Sequence, residues 1–243
     1  MAIELPSEVV SFLNFIGVNW PDVNEDQVRA FAGHVRDFAT NIDGTHQAAT
    51  STIQQMSSSY SGSSYEQLVE TWANMSNSHM QELIDGCNVV ATAMDVAADV
   101  ITAAKVAAIA ELVAMAVSFV ADQAAAVLTF GIAEAAEALI IEGAKKLVND
   151  LINQLEQHIV GEVLEKAVTP LEGVVERAVN GLVFKGAETA LGVSGGGGSV
   201  GASFSVVPDE LAAHAQTLRG HADEVAGHAQ TFAGAIGGID FGG

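Results

Sequence analysis

The chain has 243 residues, 49% of them apolar, enough to bury one large helical domain with or without a small appendage. The core is alanine-rich, so long helix interfaces must provide the buried area that larger side chains normally give. Thirty acidic residues against nine basic ones leave a formal charge of −21, which repels nucleic acid and anionic lipid and excludes a nucleic-acid partner.

In chain order, Met1-Ala2-Ile3-Glu4-Leu5-Pro6 has neither a basic n-region nor an uninterrupted apolar h-region, so no cleavable secretory signal is expected. Residues 6–16 predict a short helix with Val9, Val10, Phe12, Leu13 and Ile16 on its apolar surface, ended by Gly17. Trp20-Pro21-Asp22 reads as an extended or turn element, because the residue before proline avoids helical angles. Asn24 with Gln27 three residues later reads as a capping box for a long helix.

No proline stands between Pro21 and Pro170, which permits very long helices. The first is expected from about Asn24 to Met56, roughly 50 Å, and the second from Ser64 through at least Val100. Val28, Phe31, Val35, Phe38, Ile42, Ala49, Ile53 and Met56 recur at steps of three and four or their multiples, the mark of one helix face. After the polar, glycine-containing break Ser57–Ser64 the rhythm resumes with Tyr65, Leu68, Trp72, Met75, His79 and Leu83. The pattern predicts an antiparallel hairpin with two facing stripes, Phe31, Phe38, Tyr65 and Trp72 filling its seam. Gly62 is expected to set the turn. Tyr60 at the turn itself has no such structural duty, and with Trp20 it forms a candidate exposed recognition set.

Farther on, Val106–Val120 is apolar on nearly every face and predicts a central helix surrounded by others. Leu112–Ala133 runs 22 residues with Asp122 as its only charge, long enough to cross a bilayer. The nearby acids Glu111, Glu134 and Glu137 and the lack of an aromatic belt favour burial over membrane spanning. Gly131, Gly143, Gly161 and Gly173 are expected to be helix ends or close-contact points, and Pro170 to kink or restart a helix ending near Leu191. Residues 192–205 read as a glycine–serine linker, which divides the chain into a helical domain over 1–191, the linker, and a last helix with a glycine-rich tail over 206–243. In that helix Leu211, Leu218, Val225 and Phe232 alternate with Ala215, Ala222, Ala229 and Ile236 in a strict heptad, a seam that must dock on the main domain, a second copy or a partner. The open tail suggests a reading frame that continues past Gly243.

Little of this resembles catalytic machinery. His214, His221 and His228 recur every seven residues, about 10 Å apart along a helix, too far to share one zinc at ~2 Å ligand distances. They are expected to flank the seam, in solvent or against a partner, and His34 and His46 fare no better as ligands. The carboxylates are scattered and no nucleophile stands at a spacing that pairs it with a base, so neither enzyme activity nor a metal or cofactor is expected. The single cysteine, Cys87, cannot form an internal disulfide and reads as a small packed side chain.

The helix, the Tyr60-Ser61-Gly62 turn and the second helix resemble the helix–Trp-x-Gly–helix pattern of the WXG100 proteins exported by type VII secretion, with tyrosine in place of tryptophan. Together with Gly17-Val18-Asn19-Trp20-Pro21-Asp22-Val23-Asn24-Glu25-Asp26, Trp72 and Ala98-Asp99-Val100-Ile101, the first 190 or so residues are similar to the WXG100-like N-terminal domains of large actinobacterial toxins. Phe204–Phe241 resembles the opening helix of small ESX secretion-associated proteins. The resemblance implies an all-α secretion and delivery module, a long hairpin extended into an elongated bundle plus a separate C-terminal helix, placed ahead of a variable toxin. It also implies a small helical WXG100-type partner or the secretion machinery as binding partner and a secreted or cell-envelope location; in one mycobacterial relative it extends to an outer-membrane channel. The family's export signal, Tyr-x-x-x-Asp/Glu, is absent, since Ser64 lies four after Tyr60 and Val69 four after Tyr65. A partner, or sequence past Gly243, is expected to carry it. Two other readings follow from the residues: a channel former using Val106–Ala133, and a homo-oligomeric scaffold in which the last helix of one copy docks on the next.

Overall fold

The computed structural model describes residues 3–21, 23–76, 80–130, 134–168 and 205–242, and of these the side chains at all but 122–137, 167 and 168. Six α-helices account for nearly all of them: α1 (Ser7–Ile16), α2 (Glu25–Gln55), α3 (Ser63–Met75), α4 (Gln81–Phe130), α5 (Glu134–Val163) and α6 (Pro208–Gly237). The only sheet among the described residues joins β1 (Tyr60–Ser61) to β2 (Ser205–Val206), antiparallel, with Tyr60 opposite Val206 and Ser61 opposite Ser205. The expected long hairpin and C-terminal helix are both present in this all-α fold. Two compact units divide the chain, one of Met1–Ala30, Met94–Val168 and Asp240–Gly243, the other of Phe31–Ala93 and Thr169–Ile239.

In the first unit, α1 ends where the sequence predicts. Gly17 adopts φ 69°, its N–H bonds to Asn14 and the Val18 N–H reaches back to Leu13, so a Schellman cap satisfies the last carbonyls. The cap sends Val18 into the core with Leu13, and there α1 contributes Val9, Phe12 and Ile16 against Leu112, Ala116 and Phe119 of α4 and Val148 and Ile152 of α5. Phe119 meets Phe12 with ring centres 5.2 Å apart. The start of α2 is capped by Asn24, whose side chain accepts the Gln27 N–H at 3.1 Å. The reciprocal half of the capping box is replaced: the Asn24 N–H bonds to the Phe241 carbonyl at 2.9 Å.

Beside this cap lies a buried ion pair. Lys105 donates to Glu25 at 2.7 Å and to the Val23 carbonyl at 2.8 Å, while Glu25 also accepts the Ile3 N–H. Both side chains are almost fully shielded from solvent. Burial pushes the Glu25 carboxyl up, but the hydrogen bonds from Lys105, the Ile3 backbone and its own amide, with the Lys105 charge, hold it below the ordinary carboxylate value.

Several sequence expectations are corrected here. Val106–Val120 is not enclosed on all sides: Ala108, Leu112, Ala116 and Phe119 are buried, whereas Val106, Val113, Val117 and Val120 face outward. Gly143 and Gly161 lie inside α5, and a Cβ built on either meets nothing within 4 Å, so neither is a helix end or a close contact. The second rod is described as α3 up to Met75 and α4 from Gln81, with residues 77–79 between them outside the described residues. His79, Asp22, Gly131, Gly173, the kink at Pro170, the helix to Leu191 and the linker up to residue 204 lie outside the described residues.

Candidate functional site

The second unit holds the hairpin corner. Along α2 and into the turn that follows it the buried row is Val35, Ala39, Ile42, Ala49, Ile53 and Met56, a three-four repeat whose missing member is the half-buried His46. A short 3-10 turn, Met56–Ser58, breaks the rod, and the chain reverses through Tyr60-Ser61-Gly62 into α3. Gly62 sits at φ 128°, ψ 176°, a region essentially reserved for glycine, and its carbonyl accepts the Tyr65 and Glu66 N–H groups to open α3.

Three side chains then fasten the arms. The Tyr65 hydroxyl donates to the Ile53 carbonyl at 3.1 Å, and the Trp72 indole N–H donates to Thr50 Oγ1 at 2.8 Å. Trp72 also stacks on His46, centroids 4.9 Å apart and planes 16° from parallel. Ser76 gives its hydroxyl proton to the Trp72 carbonyl, so at His46, 2.8 Å away, it can only accept, which places the imidazole proton on Nε2. Burial lowers the His46 pKa, opposed by the nearby Asp43 carboxylate.

The last helix closes the corner from the other side. After β2 the Val207 N–H bonds to the Ser59 carbonyl at 2.8 Å, and Pro208 starts α6 at the first helical position. α6 docks on α2 of its own chain: Phe232 stacks on Phe38 at 4.9 Å, His228 meets Thr45 at 3.0 Å and His221 meets Thr52 at 3.4 Å. Thr45 and Thr52 are both buried, seven residues apart, so the contacts form an antiparallel ladder.

The structure therefore rearranges the residues singled out in the sequence. Tyr65 and Trp72 lie between the arms, whereas Phe38 faces α6 and the row beside it is held by the small Ala39; Phe31 is half-buried one step off that row. Leu211, Leu218, Val225 and Phe232 are half-buried along α6 with Ala215 and Ile236, but Ala222 and Ala229 are exposed, and His214, His221 and His228 are half-buried beside the row. Tyr60 is half-buried, pairs through its backbone with Val206 and sets its ring edge-on to Tyr65 at 5.9 Å. Ser61 beside it is exposed. Trp20 is not an exposed recognition point: it packs with Ala104, Ala108 and Leu155 in the first unit, so it and Tyr60 belong to different units. His46, Thr45, Thr50, Thr52 and Ser76 were not anticipated as parts of the corner; the only sequence signal was the seven-residue repeat of the threonines opposite the seven-residue repeat of histidines.

Cys87 is half-buried, and burial pushes its thiol up from the ordinary value. Among the described residues no group of three or more His, Cys, Asp or Glu is placed to hold a metal ion.

The described residues form an all-helical hairpin, fastened by polar contacts and overlaid by a further helix. The chain belongs to the WXG100-like domain family, which matches residues 3–145, more than half its length. That span covers α1 to α4 and the first part of α5, including the corner. No curated protein and no solved structure matches the chain.

Proposed function

We propose that this chain is the non-enzymatic delivery module of a type VII secretion substrate, the N-terminal part of a polymorphic toxin, and that it acts by presenting its hairpin corner to a small helical partner or to the export machinery. The observation that carries the reading is the division of labour at the corner. Tyr65 and Trp72 hold the arms together, Gly62 fixes the reversal, and Tyr60, half-buried with its ring edge-on to Tyr65, stands at the tip beside the exposed Ser61, pinned by β2. A fixed, partly exposed aromatic costs little entropy to bury against a partner. Neither tyrosine begins a Tyr-x-x-x-Asp/Glu signal, so this reading assigns the signal to a partner or to sequence past Gly243. The product is secreted or held at the cell envelope.

The test is export from a type VII-competent host, followed as the ratio of protein in culture filtrate to protein in cells. Tyr60→Ala is expected to fold and to be exported several-fold less well; undiminished export of the folded variant overturns the reading.

A second reading, membrane insertion of α4, has one observation in its favour. Gln81–Ala121 is long and apolar enough to cross a membrane, and its most apolar window is only 33% buried. Dye-loaded vesicles at neutral and acidic pH decide it: no leakage and no binding removes it.

A further inference from the structure

We infer that the first unit carries a second docking site, independent of the hairpin corner: the groove between α1 and α4 receives an amphipathic helix of a partner protein whose apolar seam is edged by lysine or arginine. The groove encloses about 740 Å³ and is walled by Phe12, Phe15, Val113, Val117, Phe119 and Val120. Phe15 is 53% exposed and Val117 and Val120 are each 66% exposed, although apolar side chains of this size are normally covered when they cluster.

The shape of the patch selects a helix. Val106, Val113, Val117 and Val120 follow steps of seven, four and three, a stripe about 21 Å long that matches the a/d repeat of a second helix laid along α4. α1 provides the second wall, with Phe15 set edge-on to Phe119 at 5.6 Å.

Charge selects which helix. Glu8, whose carboxylate accepts the Ser7 hydroxyl at 3.2 Å, is the only acidic or basic side chain among the described residues that line the groove. Neither α1 nor α4 offers it a basic neighbour, because α1 has no lysine or arginine and α4 has only Lys105, which is buried against Glu25. In a two-fold dimer of this chain the patch would meet its own Glu8 inside an assembly of −21 per subunit. A bilayer would find no basic anchor on these helices, and a flat surface does not fill a groove. A basic-edged helix satisfies both the apolar wall and the carboxylate.

The probe is a phage-displayed library of 18-residue peptides on a fixed helix-forming background, with seam and flank positions randomised, selected on the purified full chain. Selected sequences are expected to carry large apolar residues at i, i+3 or i+4, and i+7, with Lys or Arg on a flank. The synthesised peptides are expected to bind at least tenfold more weakly to Val117→Asp and several-fold more weakly to Glu8→Lys, both at exposed positions where the chain stays folded, Glu8→Lys melting slightly lower because it reverses a charge in the first turn of α1, and equally well to Tyr60→Ala. That last arm separates this site from the corner. The inference is overturned by any of four results: no peptide is enriched; enriched peptides ignore Val117→Asp; light scattering finds a dimer that Val117→Asp turns into a monomer; or the chain co-sediments with phosphatidylcholine vesicles in a Val117-dependent way.

Discussion

Replacing Lys105 by alanine should be among the most damaging single changes in this chain, and the structure says why. Its ammonium lies 2.7 Å from Glu25, a separation at which unit charges attract by about 6 kcal/mol at an effective dielectric of ~20. Desolvation of the two ions offsets much of that in the intact pair. The truncated protein keeps the cost of the buried Glu25 charge and loses the attraction, and the Val23 carbonyl loses its donor. The expected loss is about 3–5 kcal/mol near pH 7, whereas the double change Glu25→Gln with Lys105→Met should cost ~1 kcal/mol or less. The pH dependence is a second signature. In the intact chain the folded pKa of Glu25 lies below its unfolded value, so its contribution is full above the ordinary carboxylate range and is lost as pH falls through the folded value. In Lys105→Ala burial dominates and the folded pKa rises above the unfolded one, so the penalty appears as pH climbs through the carboxylate range. Urea titrations of parent and variant at about pH 4 and about pH 7 should therefore show a difference that shrinks on acidification. A loss under ~1 kcal/mol near neutrality, or one indifferent to pH, refutes the reasoning.

Other perturbations test the corner and the helices. Trp72→Phe removes the bond to Thr50 and part of the stack on His46, for an expected loss of about 1–2 kcal/mol. Trp72→Ala should cost ~3 kcal/mol, at the low end for a tryptophan because the ring is half-buried; denaturant midpoints check both. Gly62→Ala forces a side chain into a glycine-only conformation and should cost about 1–3 kcal/mol. Gly161→Ala meets open space inside α5 and should instead stabilise by ~0.5–1 kcal/mol, so the two glycine variants shift the melting temperature in opposite directions. His46, with its folded pKa below the unfolded one, keeps its contribution above about pH 6.5 and loses it as the unfolded chain protonates first. Melting temperature should accordingly fall on acidification below that value, and His46→Gln should flatten the slope.

What was legible in the sequence is what local chemistry dictates. Gly17 ends α1 because only a left-handed residue can close that cap, Pro208 opens α6 because it needs no N–H partner there, and the serine-rich stretch with Gly62 turns the chain. The three-four rhythm located α2 almost to the residue. Period alone could not say which neighbour each flank meets. Phe38 and Ala39 are one helical step apart, and a ranking by size put the phenylalanine in the hairpin seam, whereas the tight row takes the alanine and leaves Phe38 for Phe232. The same single step separates His221 from Ala222. Apolarity favoured the alanines, but the surface of α2 offers the hydroxyls of Thr45 and Thr52, which histidine can bond. The Glu25–Lys105 pair joins residues 80 apart, and no local pattern announces it. The outward valines of α4 were hidden by composition: a helix apolar all round looks central whether or not anything covers its second face.

The central claim is that Tyr60 is a recognition residue on a corner fastened chiefly by Tyr65, Trp72 and Gly62. It is tested most directly by plotting export from a type VII-competent host against melting temperature for Tyr60→Ala, Tyr65→Phe and Trp72→Phe. The account predicts that Tyr65→Phe and Trp72→Phe lower melting while folded protein is still exported, and that Tyr60→Ala, which also gives up its ring contact with Tyr65, loses far more export than its own drop in melting accounts for. A single line through all three, with export following stability alone, would contradict it.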